Sequence, residues 1–169
     1  MSPTILTNRL EIKRFTEADT AQYAEIMTNP AVTKYLGTGE DKTKEDVERL
    51  LKRLEDVWNK NDYGVFVVKE AAGGNIIGHC GFLPFADDRI ELLYAYDPSA
   101  WGKGYATEAG RAVLDYAKNR YDWAEVCAIT YPQNVASATV LKKLGFKPIG
   151  REEHFGLIFE VFTYEMRRY

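Results

Sequence analysis

The residues best placed to do chemistry lie in one short run, Asp97-Pro98-Ser99-Ala100-Trp101-Gly102-Lys103-Gly104-Tyr105-Ala106-Thr107-Glu108-Ala109. Gly102 and Gly104 lack a Cβ, so the backbone between them can approach a ligand closely. A helix starting after Gly104 would aim its first, unpartnered N–H groups into that turn. Its dipole and the Lys103 charge would make the turn attractive to a phosphate or pyrophosphate. A tight strand-to-helix turn that needs glycine only for its geometry has the same spacing, so the Gly-x-Gly alone leaves both readings open. Two other phosphate loops fail on their own terms. A P-loop needs Ser or Thr after its Gly-Lys pair, and Lys103 is followed by Gly104-Tyr105. A dinucleotide turn needs a third Gly, and Thr107 stands there. Other candidate groups are Glu91, Asn134, Ser137, Cys80, Cys127, His79, His154 and Glu160.

The elements that must position these groups follow from periodicity. Residues 90–96, with two Leu, two Tyr and a β-branched Ile, read as a strand. Tyr105, Ala106, Ala109, Ala112, Val113, Tyr116 and Ala117 form one face of a helix over 105–119. Upstream, alternation predicts a strand over 9–15. Thr16-Glu17-Ala18-Asp19 starts a helix that Asn29-Pro30 ends near Thr28, and 31–36 is a short helical turn. Thr43 caps a helix over 44–59 whose apolar stripe is Val47, Leu50, Leu51, Leu54 and Val57/Trp58. Strands at 63–69, 76–85 and 90–96 form an antiparallel meander. The helix at 105–119 returns the chain to a strand at 123–131, parallel to 90–96. Pro132 ends that strand. A helix over 134–144 stops at Gly145, and strands at 146–154 and 157–167 close the chain as an antiparallel pair. The predicted order is βααβββαβαββ.

The 169 residues suit one domain with a real core, and 46% hydrophobic with 28% charged residues is ordinary globular composition. Net charge is −3 and no basic run reaches five residues, which argues against a nucleic-acid partner. No window approaches the ~18 consecutive apolar residues of a membrane span. The N-terminal run lacks the features of a signal peptide, so a cytoplasmic protein is expected. Cys80 and Cys127 sit in strand-like runs and are expected as buried free thiols. With no Cys-x-x-Cys and only two histidines, no metal is expected.

The run Glu91-Leu92-Leu93-Tyr94-Ala95-Tyr96-Asp97-Pro98, continuing at Trp101-Gly102-Lys103-Gly104-Tyr105-Ala106-Thr107-Glu108-Ala109, resembles the acetyl-CoA site of the GNAT N-acetyltransferases, most of all the Rim-type branch. Against the family pattern [QR]-x-x-G-x-[GA], Trp101 departs at the first position. This removes one side-chain donor and leaves the backbone cradle. Asn134-Val135-Ala136-Ser137-Ala138-Thr139-Val140-Leu141-Lys142-Lys143-Leu144-Gly145-Phe146 is similar to the family's second motif. Asn134 also has a plain reading as a helix N-cap. The resemblance spans essentially the whole chain, 1–169. It implies a single α/β (α+β) GNAT domain, with a mixed, mostly antiparallel sheet and a central parallel pair splayed around acetyl-CoA.

The resemblance further implies that Gly102, Lys103, Gly104, Tyr105, Ala106 and Thr107, with Trp101 beside them, hold the pyrophosphate. Tyr94, Ala95 and Tyr96 would pair with pantetheine and offer an oxyanion donor, and Asn134 would bond the pantetheine arm. Acetyl transfer to an amine also needs a base for the ammonium and a proton for the departing thiolate. Glu91 stands where several relatives carry a glutamate base. Ser137 matches the Rim-type position for the acid. As plain structure, Glu91 is a solvated strand start and Ser137 an ordinary helix serine. Cys127 as an acyl carrier is disfavoured by its apolar run. His79 and His154 read as structural, and Glu160 on the last strand is a candidate for the acceptor pocket. The expectation is direct transfer from acetyl-CoA to a primary amine, chiefly a protein N-terminus. The alternatives are a small amine such as a polyamine, amino acid or antibiotic, and a CoA-binding module without transfer. Leu93 stands where the branch often has Gly, so a strand bulge there is in question. Acidic residues at 40, 41, 45, 46 and 48 either draw in a cation or form a solvated face. A homodimer is left open.

Overall fold

The structure is a computed structural model and describes residues 2–166. The chain opens with a hairpin of β1 (Thr4–Leu6) and β2 (Leu10–Lys13), paired antiparallel. Leu10 and Ile12 are fully buried while Glu11 and Lys13 pair with each other, so alternation sets the strand's two faces. A short 3-10 turn leads into α1 (Thr20–Met27). The Asp19 carboxylate accepts from the Thr16 backbone N–H at 2.8 Å and pairs with Lys69 at 2.7 Å. The Asn29 side chain caps α2 (Pro30–Thr33), and Pro30 sits at its first position, where no backbone donor is needed.

Helix α3 (Lys44–Asn61) begins in a capping box. The Asp46 N–H donates to the Thr43 hydroxyl at 3.1 Å, and the Thr43 N–H donates to the Asp46 carboxylate at 2.8 Å. Val47, Leu54 and Trp58 are the buried part of its stripe. The meander follows as β3 (Val65–Glu70), β4 (Ile76–Phe85) and β5 (Arg89–Tyr96). Helix α4 (Tyr105–Arg120) crosses over to β6 (Glu125–Thr130). Then come α5 (Val135–Leu144), β7 (Lys147–His154) and β8 (Leu157–Glu165).

The strands form one sheet in the order β1-β2-β3-β4-β5-β6-β8-β7. Alternate residues feed two layers. Phe66, Val68 and Ile77 pack with Val113, Leu114 and Leu141 of α4 and α5. Val65, Val67 and Ile76 pack on the other face with residues of α1 and α3.

The feature that shapes the site is the one parallel joint. Strands β5 and β6 pair at a single register, Glu91 opposite Cys127, and no further ladder pair joins them among the described residues. From Glu91 onward β5 stays paired to β4 on one side and parts from β6 on the other.

The predicted elements stand, with end residues shifted by a few positions. Strand β1 is the addition. Three residues with one partner strand and an exposed Leu6 carry no periodic signal; Thr4–Leu6 is extended because Lys13, Ile12 and Glu11 lie opposite it. The strand expected over 9–15 is shorter because Arg9 turns away toward α4. No bulge accompanies Leu93, which faces Gly81 in an unbroken β4–β5 register. The far end of the last predicted strand, residue 167, lies outside the described residues.

Candidate active site

The turn between β5 and α4 is built as a cradle. Gly102 and Gly104 both lie in the left-handed region, with φ of 72° and 80°, which L side chains adopt only under strain. A Cβ on Gly102 would point into open space, with nothing within 4 Å. Gly104 is the N-cap of α4, and no side chain caps the helix. The first intrahelical bond runs from the Glu108 N–H to the Gly104 carbonyl at 3.0 Å. The N–H groups of Tyr105, Ala106 and Thr107 therefore remain for a ligand, with the exposed Lys103 beside them. The donor set suits a pyrophosphate.

The hairpin of β1 and β2 holds this turn in place. The Arg9 guanidinium donates to the Lys103 carbonyl at 2.9 Å and to Glu108 at 2.7 Å, and it lies 4.2 Å from the centre of the Tyr105 ring. Glu108 also accepts from the Thr7 hydroxyl at 2.5 Å and from the Arg9 N–H at 3.1 Å. Burial opposes ionisation of Glu108, but these donors outweigh it and hold its carboxyl below the usual range. Arg9 and Thr7 were not predicted as part of the site. They are far away in sequence, and the only signal for them was a polar Thr-Asn-Arg turn. The Trp101 indole, where a donor to pyrophosphate was expected to be missing, folds back instead and gives its N–H to the Tyr96 carbonyl at 2.8 Å.

Beyond the cradle, Tyr94, Ala95 and Tyr96 pair with Cys80, His79 and Gly78 of β4 and line the parted edge of β5. Tyr94 and Tyr96 point to the α4–α5 side, Glu91, Leu93 and Ala95 to the α1–α3 side. The Tyr94 hydroxyl meets the Ser137 hydroxyl at 2.9 Å and the Ser137 carbonyl at 3.2 Å. Burial pushes the Tyr94 pKa up, so it stays a proton donor at any ordinary pH. Ser137 belongs to the first turn of α5, where its N–H donates to the Asn134 side-chain oxygen at 3.2 Å. Asn134 is thus an N-cap, and its amide NH₂ is left for another partner.

Glu91 sits at the vertex where β5 and β6 part. Burial raises its pKa to about 7, and the nearby Arg53 and Arg89 charges pull in the opposite direction. A carboxylate that titrates near neutrality is poised as a base. Arg89 is held by Glu152 through two bonds of 2.7 and 3.0 Å, and Glu152 also meets His154 at 3.0 Å. The other candidates are committed elsewhere. Burial pushes the Cys127 thiol up to about 12, so it is no nucleophile at neutral pH. His79 is buried against the Tyr23 hydroxyl at 2.8 Å, with its pKa lowered to about 4. Glu160 pairs with Arg151 at 3.3 Å.

On the Glu91 side, a cleft of about 320 Å³ opens between α3 and the loop that precedes it, lined by Thr38, Arg49, Leu50 and Arg53. The loop is anchored by the Tyr131 hydroxyl, which donates to the Gly37 carbonyl at 2.5 Å.

A family model described as "Acetyltransferase (GNAT) domain" matches residues 9–147. The chain belongs to the GNAT acetyltransferase family. It is 30% identical to the uncharacterized N-acetyltransferase YnaD of Bacillus subtilis over 148 residues, 86% of this chain and 84% of that one. Among solved structures, an acetyltransferase from Agrobacterium tumefaciens superposes with a TM-score of 0.84 at 24% identity, covering 96% of this chain and 94% of its own. RimL, a ribosomal L7/L12 alpha-N-protein acetyltransferase solved in complex with coenzyme A, gives 0.82 at 15% identity over 96% of this chain and 98% of its own. At these identities the two structures establish the GNAT fold. No helix among the described residues of this GNAT domain is long and apolar enough to cross a membrane.

Proposed function

We propose that this protein is an acetyl-CoA-dependent N-acetyltransferase that serves a primary amine by direct attack in a ternary complex. The reading is carried by one observation: a half-buried carboxyl, Glu91, with a pKa raised to about 7 stands at the vertex of the parted strands. A module that only bound CoA would have no need of a desolvated carboxyl there.

The chain's residues divide the work. Backbone N–H groups at 102–107 and the Lys103 ammonium hold the pyrophosphate. The free edge of Tyr94, Ala95 and Tyr96 and the Asn134 amide hold the pantetheine arm, and an N–H of that edge stabilises the oxyanion. Bound acetyl-CoA supplies an activated thioester. Glu91 takes the proton from the acceptor's ammonium, directly or through water. The paired hydroxyls of Ser137 and Tyr94 give a proton to the departing thiolate; Tyr94 thereby gains a role beyond its backbone. No side chain carries the acetyl group, since Cys127 stays protonated.

A protein N-terminus is the first reading for the acceptor, supported by likeness in fold to the ribosomal-protein acetyltransferase RimL. A small amine is the second, supported by a cleft of about 320 Å³ on the same side of the sheet as Glu91, a size suited to a small molecule. The buried free cysteines fit a cytoplasmic setting. The test is a screen of peptide N-termini and small amines with acetyl-CoA, following thiol release and the mass of the product. Thioester hydrolysis with no amine acetylated sinks the reading.

A further inference from the structure

Arg53 differs from every other arginine in the described chain. Each of the others donates a hydrogen bond to a carboxylate, a carbonyl or a side-chain amide of the protein. Arg53 makes no hydrogen bond or ion pair among the described residues; it lines the cleft beside Leu50 with its guanidinium uncommitted. Of the acids nearby, Asp46 is paired with Arg49 and caps α3 through Thr43, Glu152 is taken by Arg89, and Glu40 and Asp41 lie exposed at the cleft mouth. Glu91, whose carboxyl feels the Arg53 charge, has to stay free for the acceptor. A planar guanidinium on the wall of a cleft, with no internal partner, suits a carboxylate held through two parallel bonds.

We propose that Arg53 receives a carboxylate of the acceptor, so that the amine delivered to Glu91 belongs to a molecule with an acidic group close to the reacting nitrogen. The assignment rests on the acetyl-transfer reading above. Two sources share this chemistry: a free amino acid, and a peptide N-terminus with an acidic residue beside it. The exposed Glu40 and Asp41 at the cleft mouth attract the approaching ammonium. A second ammonium in the place assigned to the carboxylate would face Arg53, so diamines are disfavoured.

The experiment compares matched acceptors with acetyl-CoA at a pH well above the Glu91 titration. One pair is L-alanine and L-alaninamide. Another is two amide-capped peptides, Ala-Asp and Ala-Asn at their first two positions. Putrescine is the diamine. The parent should favour the acidic member of one pair by about 10-fold or more in kcat/KM, and the pair that responds names the source. Arg53→Ala should lower kcat/KM for that acidic member by about 10–100-fold, mainly through KM, and leave its neutral partner unchanged. Arg53→Lys should restore part of the loss, and Arg53→Glu should move preference toward putrescine. Equal use of both members of each pair, or an equal loss on both in Arg53→Ala, overturns the assignment and leaves acetyl transfer standing. A parent inert toward every amine overturns acetyl transfer and the Arg53 assignment together.

Discussion

Glu91 joins two properties of one side chain, a place at the strand vertex and a proton affinity near neutrality. Positioned acid–base groups contribute on the order of 10²–10⁴-fold. Glu91→Gln should therefore slow transfer near pH 7, and the deficit should shrink at high pH, where the amine loses its proton unaided. The parent's rate should rise with pH through about 7 as Glu91 ionises. A pH–rate profile of Glu91→Gln that overlays the parent returns Glu91 to a structural role. The thiolate side has its own signature. Ser137 and Tyr94 share one hydrogen-bonded pair, so their losses should not add. Ser137→Ala and Tyr94→Phe should each lower kcat, by about 10-fold or more, with little change in acetyl-CoA affinity, and the double variant should cost little more than the worse single one. Full turnover in both single variants leaves thiolate protonation to water.

At the scale of the element, the cradle depends on a helix start that carries no side-chain cap and on a distant hairpin. Gly104→Val puts a β-branched side chain at a φ of 80°, with its Cβ 3.5 Å from the Arg9 guanidinium. Strain there costs on the order of 1–2 kcal/mol, so the variant should fold but lose the rise in melting temperature on adding acetyl-CoA. Equal shifts in parent and variant would place the cofactor elsewhere. Arg9→Ala tests the hairpin's part in the site. It unties Lys103 and Glu108 together and leaves the backbone N–H groups intact. Weaker coenzyme binding with little loss of basal stability is the expected result, read by calorimetric titration. The pair's exposure argues for a small stability term, since partly solvated ion pairs contribute about 0–1 kcal/mol.

For the molecule as a whole, one buried and one half-buried group bend stability against pH in opposite directions. Burial lowers the His79 pKa to about 4, so the unfolded chain binds the extra proton between about 6.5 and 4, and stability falls as pH drops through that window. Glu91 is raised to about 7, so the folded chain binds the extra proton between about 4.5 and 7, and stability falls as pH rises there. Each effect is on the order of 3 kcal/mol at most, and over the shared window they largely cancel. Urea unfolding from pH 7 to 4.5 should therefore show a steeper acid loss in Glu91→Gln than in the parent, and a more stable Glu91→Gln above pH 7. Parallel pH curves for the two proteins would contradict these burial effects. Acetyl-CoA at about 100 times its Kd should stabilise the parent by about 2.7 kcal/mol through linkage.

Much of this could be read from the chain because it is local. Strand, glycine turn and helix at 90–119 are set by alternation, by two glycines and by a 3.6-residue stripe, all within neighbouring residues. The stop at Gly145 and the cap at Thr43 are local too, and both appear where the spacing put them. The family resemblance added the splaying of the central parallel pair, which periodicity alone does not give. What the tertiary structure alone decided are relations between distant residues. Strand β1 exists because β2 lies beside it, and Arg9 reaches Lys103 because the hairpin packs at the start of α4. Tyr94 of β5 meets Ser137 of α5, 43 residues further along the chain. The raised pKa of Glu91 and the freedom of Arg53 depend on which neighbours desolvate the one and fail to pair with the other. Desolvation and pairing are properties of a packed neighbourhood, so a carboxyl's work as base and an arginine's availability to a ligand emerge only when the sheet and helices close around them.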